Sequence, residues 1–280
     1  MYEPVIKWSG SKRSQAGKII RYFPKEIGTY YEPFCGGASV LYRLLNSDIK
    51  VKRFVCSDIN EGLIDLWNEI IQHPDLVATH YENMWKELNA DEDKQRKKDY
   101  FTKVRERYNK EHNPLDFMFI MRTTTNGMPR YNKEGNFNNS FHITRQGIEP
   151  SKLRKIIFEW SELLNENKVE FIACSYENIK PNEKDFLYLD PPYANTKGMY
   201  YGAINYENLW EWLRKVSCKY VLSFDGISGN VNNTYEVPKD IYTSHLYIES
   251  GNSSFKRVIG KSNDCIVKES LYVSSLDKIK

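Results

Sequence analysis

The sequence predicts an α/β protein: a mostly parallel sheet with helices on both faces, plus an inserted, mainly helical segment carrying a β-hairpin. Three observations predict it. Short runs of β-branched and aromatic residues alternate with helical patterns. The alternation stops between residues 75 and 166. An apolar run, Phe186-Leu187-Tyr188-Leu189, ends in Asp190-Pro191-Pro192-Tyr193, and open α/β sheets bind ligands at the carboxyl ends of their strands.

The strand-like runs are Thr29–Phe34, Val51–Ser57, Lys168–Cys174, Asp185–Asp190, Tyr220–Phe224, Ile241–Ile248 and Cys265–Val273. Asn60 is placed to cap a helix in which Leu63, Leu66, Trp67, Ile70 and Ile71 recur at helical spacing, ending before Pro74. Glu207–Val216 repeats the pattern with Leu209, Trp210 and Leu213 on one side. Trp85–His112 carries nine basic and seven acidic side chains and reads as helix with a solvated face. Arg122–His142 is rich in Gly, Asn and Thr; Asn126-Gly127 and Glu134-Gly135 are turn signals, so a hairpin or structured loop is expected. The organisation that follows is a ligand-binding domain from residues 1–74 and 167–280, with residues 75–166 inserted.

Composition narrows the function classes. The 280 residues hold 40 Lys+Arg and 37 Asp+Glu, a net charge of +3 that excludes a polycation and an acidic disordered tail. No apolar stretch is long enough to span a membrane, and the opening MYEPVIKWSG lacks a secretory core, so a cytoplasmic protein is expected. Five cysteines at 35, 56, 174, 218 and 265 form no CxxC pair, against a disulfide framework or a zinc site. The bland total hides one asymmetry: Met121–Lys155 has seven basic and two acidic residues, the footprint of a nucleic-acid surface or of scattered solvated lysines.

Asp190-Pro191-Pro192-Tyr193 is the strongest chemical signal. Two prolines fix φ and leave carbonyls free to accept. An acceptor carboxylate, an acceptor carbonyl and a flat ring on one stiff turn suit a planar group bearing an NH2, such as a nucleobase. The second signal is Gly36-Gly37 after the first strand, where the backbone lets a ligand approach closely. The dinucleotide spacing G-x-G-x-x-G is absent, which argues against NAD or FAD. Asp58 ends the next strand, placed to accept from ribose hydroxyls. S-adenosyl-L-methionine, a nucleoside without phosphates, fits both. Gly10 and Gly17 have the wrong spacing for a P-loop, no cysteine stands in an activating context, and the five histidines form no metal-ligand spacing, so no metal is expected.

Lys7-Trp8-Ser9-Gly10-Ser11-Lys12, Glu32-Pro33-Phe34-Cys35-Gly36-Gly37, Ser57-Asp58-Ile59-Asn60 and Asp190-Pro191-Pro192-Tyr193 stand in one order. That order resembles the DNA adenine-N6 methyltransferases of the Dam-like class. Arg130-Tyr131-Asn132-Lys133-Glu134-Gly135-Asn136-Phe137-Asn138 resembles their target-recognition hairpin. The resemblance implies a Rossmann-like methyltransferase sheet and an inserted recognition domain. It implies methyl transfer from S-adenosylmethionine to N6 of an adenine flipped out of double-stranded DNA, with Asp190, Pro191, Pro192 and Tyr193 as the catalytic turn. Trp8, Lys12, Phe34, Gly36, Gly37, Asp58, Asp190 and Tyr176 are then the cofactor contacts. Lys7 and Arg130 are guanine readers, and Arg122, Asn126, Asn132 and Lys133 are further DNA contacts. Relatives carry an acidic residue where this chain has Ser175. They have a wedging aromatic where it has Thr125 and a proline where it has Ser140, departures from the pattern of a GATC target. A cytosine-N4 methyltransferase, which has Ser before Pro-Pro, and a catalytically silent DNA-binding relative are the alternatives. A cognate restriction endonuclease, a monomer or weak dimer, and a bacterial or phage-infected host complete the expectations.

Overall fold

The computed structural model describes residues 3–144, 146–193, 204–228, 231–252 and 266–274. In chain order the elements are α1 (Ala16–Ile19), β1 (Glu26–Glu32), α2 (Ser39–Leu45), β2 (Lys50–Asp58), α3 (Glu61–Gln72), α4 (Pro74–Leu88), α5 (Lys94–Glu111), α6 (Pro114–Thr123), α7 (Pro150–Glu166), β3 (Glu170–Ala173), β4 (Phe186–Leu189), α8 (Tyr206–Lys215), β5 (Lys219–Ser228), β6 (Val231–Asn232), β7 (Ser244–Asn252) and β8 (Ile266–Val273). The chain divides into two compact units. A sheet unit comprises residues 12–57 and the described residues from 174 onward, and a helical unit comprises residues 3–11 and 58–173.

In the sheet unit the strand order is β2-β1-β4-β5-β8-β7. The first four are mutually parallel, β5-β8 and β8-β7 are antiparallel, and the short β6 folds back on β5. β4 is buried on both faces, as a central parallel strand must be. Leu187 and Leu189 face a cluster with Leu209, Trp210, Leu213 and Phe224. Phe186 and Tyr188 face Phe23, at ring distances of 4.5 and 6.1 Å. Each fully buried Leu or Phe side chain among them stabilises the unit by about 1.5–3 kcal/mol. β1 lies between β2 and β4, so the strand order reverses there, and ligands bind at such a switch point.

The helical unit is built from capped helices. Asn60 accepts from the Leu63 amide to start α3, Asp93 caps α5, Asn113 caps α6 and Glu149 caps α7. Pro74 opens α4 because it cannot continue α3. Phe117, Met118, Phe119, Ile120 and Met121 of α6 are all fully buried, so α6 is the central helix, apolar all round. Trp67 stacks on Phe171 at 5.0 Å and meets Trp160 at 5.0 Å, tying α3 to β3 and α7. Among the described residues no helix is long and apolar enough to cross a membrane.

Several boundaries differ from expectation. The helical unit is wider than residues 75–166, because α3 packs on α6 and α7 and the N-terminal segment is held by α6 and α7. Trp85–His112 is two helices separated at residues 89–93, where Asn89 and the acidic run end one and Asp93 caps the next. Ile241 belongs to a 3-10 turn, Lys239–Ile241, and its strand starts at Ser244. The hairpin is an antiparallel loop pinned by two bridges, Thr124–Phe141 and Tyr131–Phe137. Cys265 lies outside the described residues.

Candidate active site and nucleic-acid face

The buried strand β4 delivers Asp190 to its carboxyl end. One carboxylate oxygen, Oδ2, lies 2.8 Å from the Lys12 ammonium, which is itself nearly buried. The same ammonium is 3.3 Å from Glu269 Oε2 on β8 and 4.8 Å from the centre of the Tyr193 ring. Tyr193 donates its hydroxyl to Glu269 Oε2 at 2.8 Å, and its ring meets Phe224 edge-on. Tyr206, at the start of α8, donates to the Pro192 carbonyl at 2.9 Å. The turn is therefore held from β8 and from α8. Asp190 Oδ1 is buried and has no hydrogen-bond partner among the described residues. Burial pushes the Asp190 carboxyl up to about 6, with Lys12 pulling it down and Glu269 pushing it up. An unpartnered buried carboxylate oxygen is costly unless a ligand meets it.

The other half of the sheet-unit site follows β1. Glu32 is buried; burial pushes its carboxyl up to about 8, against the Tyr30 hydroxyl that donates to it at 2.6 Å. Gly36 takes φ 46°, a left-handed conformation that glycine adopts without a Cβ clash. The Cys35 amide donates to the Ser57 carbonyl at 3.0 Å, closing the loop on the end of β2. The Phe34 and Tyr176 rings lie 5.5 Å apart, and Trp212 backs Tyr176 edge-on at 5.3 Å. Phe34, Gly36 and Tyr176 thus offer two rings and a close backbone, which suit an adenosine group without phosphates. Ser175 accepts from the Glu177 amide, leaving Glu177 as the nearby carboxylate.

Of the remaining residues singled out in the sequence, Gly37 lies in the sheet unit and the others belong to the helical unit. Asp58 accepts from the Asn60 amide at 3.0 Å, and Asn60 donates to the Tyr131 hydroxyl at 2.9 Å. The Ser9 amide donates to the Gly127 carbonyl, which lays the Lys7-Trp8-Ser9 segment along the loop. Gly127 has φ 62°, and a Cβ there would stand 2.7 Å from the Lys7 carbonyl. Asn126 is also left-handed, with φ 59°. Asn139 ties the loop to the Thr125 and Met128 carbonyls, both at 3.0 Å, and buried Phe137 plugs it. Asn132 accepts from the Glu134 and Asn136 amides, and Asn132, Arg130 and Lys133 are all exposed.

The basic segment is narrower than its charge count. Arg122 is only partly exposed: its guanidinium donates to the Pro4 and Val5 carbonyls, and burial lowers its pKa to about 10. Lys152 pairs with Glu3 and Arg154 with Asp75. Arg145 lies outside the described residues.

A family model described as D12 class N6 adenine-specific DNA methyltransferase matches residues 8–255. The chain belongs to this family. Type II methyltransferase M.MjaIII of Methanocaldococcus jannaschii is 31% identical over 210 residues, 68% of this chain and 69% of that protein. A DNA adenine methylase of Vibrio cholerae serotype O1 is 30% identical over 195 residues, 68% of this chain and 64% of the relative. Type II methyltransferase M.FokI of Planomicrobium okeanokoites is 23% identical over 282 residues, 94% of this chain but 42% of that protein. Methyl transfer to adenine N6 in DNA is the class reaction of the D12 family.

For a D12 methyltransferase the sequence reading missed two groups that touch the Asp190-Pro191-Pro192-Tyr193 turn, Glu269 and Tyr206. Glu269 reaches it from far along the chain and Tyr206 from the next helix, and no local spacing marks either. The only cue was an acidic residue inside the apolar run Cys265–Val273. The structure brings Lys12, Asp190 and Tyr193 together, and separately Phe34 with Tyr176.

Proposed function

We propose that this chain transfers the methyl group of S-adenosylmethionine to N6 of an adenine in double-stranded DNA, using the Asp190-Pro191-Pro192-Tyr193 turn. The observation that carries the reading is Asp190 Oδ1, a buried and unpartnered acceptor beside a stiff two-proline turn. Adenine N6 is a weak nucleophile because its lone pair is delocalised into the ring. Asp190 Oδ1 and the Pro191 carbonyl accept its two N–H groups and draw the lone pair out of the ring plane. Tyr193 stacks on the base. When bound, S-adenosylmethionine supplies a methyl on a sulfonium whose leaving group is a neutral thioether. Asp190 Oδ1 would take the proton that the amine must lose on methylation, and its pKa of about 6 suits brief proton holding. Positioning supplies much of the rate.

Phe34, Gly36, Gly37 and Tyr176 are assigned the adenosine part, and Lys12 orders Asp190. Asp58 is assigned the ribose hydroxyls from its place at the end of β2; Trp8 and Lys7 keep the roles the family resemblance implies. The target base must leave the duplex to be methylated, at a cost of a few kcal/mol. Residues 75–166 are proposed as the recognition segment that offsets it, with Arg130 reading bases and Lys133 holding phosphate. Arg122 supports the segment from inside. A site shared with a restriction endonuclease fits the type II names of two relatives.

The test is labelled-methyl transfer to unmethylated plasmid DNA with wild type and Asp190→Ala. Transfer by wild type and none by the variant is expected. Transfer by a folded Asp190→Ala at the wild-type rate would remove Asp190 from the reaction.

A further inference from the structure

We propose that Glu269 is a positioning residue of the methyl-transfer site: its carboxylate holds the Tyr193 hydroxyl and shares the Lys12 ammonium. It thereby fixes the stacking ring and keeps Lys12 from neutralising Asp190 alone. This rests on the reading that the Asp190 turn receives the target base.

Three distances carry it. Glu269 Oε2 is 2.8 Å from the Tyr193 hydroxyl and 3.3 Å from Lys12 Nζ, which is 2.8 Å from Asp190 Oδ2. One ammonium thus lies between two carboxylates, and the cluster keeps a net negative charge facing the amine. The second observation concerns the backbone. The β5–β8 register shifts between Phe224 and Ile227, a bulge of the kind that re-aims a side chain. A Cβ on Gly226 would stand 2.0 Å from the Lys268 carbonyl and 2.8 Å from Glu269 Cα. Gly226 thus lets β8 come close enough to aim Glu269 at the turn. Tyrosine stacks in two dimensions but slides easily; a hydroxyl tether fixes the ring's position in its plane. Misplacement by about 1 Å costs on the order of a hundredfold in rate.

The charge has its own signature. The groups acting on Asp190 are Lys12, Glu269, Tyr193, Tyr188 and Glu32. Glu269 pushes Asp190 up, whereas the Tyr193 hydroxyl pulls it down. Glu269→Gln keeps an acceptor for Tyr193 but loses the charge. Tyr193→Phe loses the tether but keeps the ring and the charge.

The experiment measures kcat, the KM for S-adenosylmethionine and the pH dependence of kcat with labelled-methyl transfer to unmethylated plasmid DNA. Wild type, Glu269→Gln, Tyr193→Phe, the double variant and Asp190→Ala are compared. Both single variants should lose about tenfold to a hundredfold in kcat, with the cofactor KM within about twofold. The double variant should lose about the product of the two single losses, because Glu269→Gln removes the charge and Tyr193→Phe removes the tether. The acid limb should move to lower pH in Glu269→Gln and to higher pH in Tyr193→Phe, which loses the hydroxyl that pulls Asp190 down. A kcat within about twofold of wild type and an unmoved limb in Glu269→Gln overturns the inference. If Glu269→Gln does not fold, a normal kcat in Tyr193→Phe overturns it. An active Asp190→Ala would instead overturn the reading on which it rests.

Discussion

Asp190 has two oxygens in different situations, one paired with Lys12 and one buried without a partner. Its replacement by Ala should lower kcat by about a hundredfold or more, since an acceptor working in the transition state is lost. Glu32 gives a stability prediction with a definite sign. Its folded pKa of about 8 lies above its ordinary 4.5, so the folded state holds a proton that the unfolded chain releases. The stability it contributes is present below about 4.5 and is lost as pH rises to about 8, at roughly 1.4 kcal/mol per unit. Glu32→Gln should remove that slope. Urea unfolding of both proteins from about pH 5 to about pH 9 checks it: the variant's advantage should grow and then level off. Arg130 and Lys133 separate two kinds of DNA contact. Arg130→Ala should lower kcat/KM on the true site by roughly tenfold to a hundredfold, with near-cognate sites losing less. Lys133→Ala should weaken all sites alike and reduce the salt slope by about 0.9. At this scale the sequence already marked Asp190 and Tyr193, because Pro-Pro and its neighbours act locally, and Lys12 only through the family resemblance. It did not mark Glu269 or Tyr206, whose partners are set by tertiary packing. Nor did it show that Arg122 turns inward: charge can be counted along a chain, but burial cannot.

At the scale of elements, α3 depends on a glycine for reasons of space. A Cβ on Gly62 would stand 2.3 Å from the Tyr108 hydroxyl, and Tyr108 is buried between Phe117 and Phe137. The ring cannot swing away. Gly62→Ala should therefore destabilise by about 1–3 kcal/mol despite its better helix propensity. Tyr108→Phe should recover part of that loss, measured as a double-mutant cycle in urea. The Asn60 cap and the stop before Pro74 were legible before the structure, because both act within a few residues. The break at residues 89–93 was not, because the charged run has helix-forming composition on both sides. The loop at 122–142 was legible as turns. Its stitching by Asn109 and Asn139 side chains was not, since these reach across the loop rather than along it.

At the scale of the molecule, strand–helix alternation predicts a largely parallel sheet, and β2-β1-β4-β5 is one. The antiparallel end follows from β8 pairing both with its neighbour β7 and with the distant β5, a choice of partners that periodicity does not encode. The division into units falls at Asp58 and Ala173 rather than near residues 74 and 167, because α3 joins the helices it packs on. Four motifs spread from Lys7 to Tyr193 made the function legible, since their chemistry converges on a nucleobase amine and a nucleoside cofactor. The measurement that tests this most directly is the identity of the product. Unmethylated plasmid DNA is incubated with the full chain and labelled-methyl S-adenosylmethionine, digested to nucleosides and separated by chromatography. The expected result is label in N6-methyladenine, dependent on Asp190. Label in N4-methylcytosine, or none in DNA while the protein remains folded, would contradict the account.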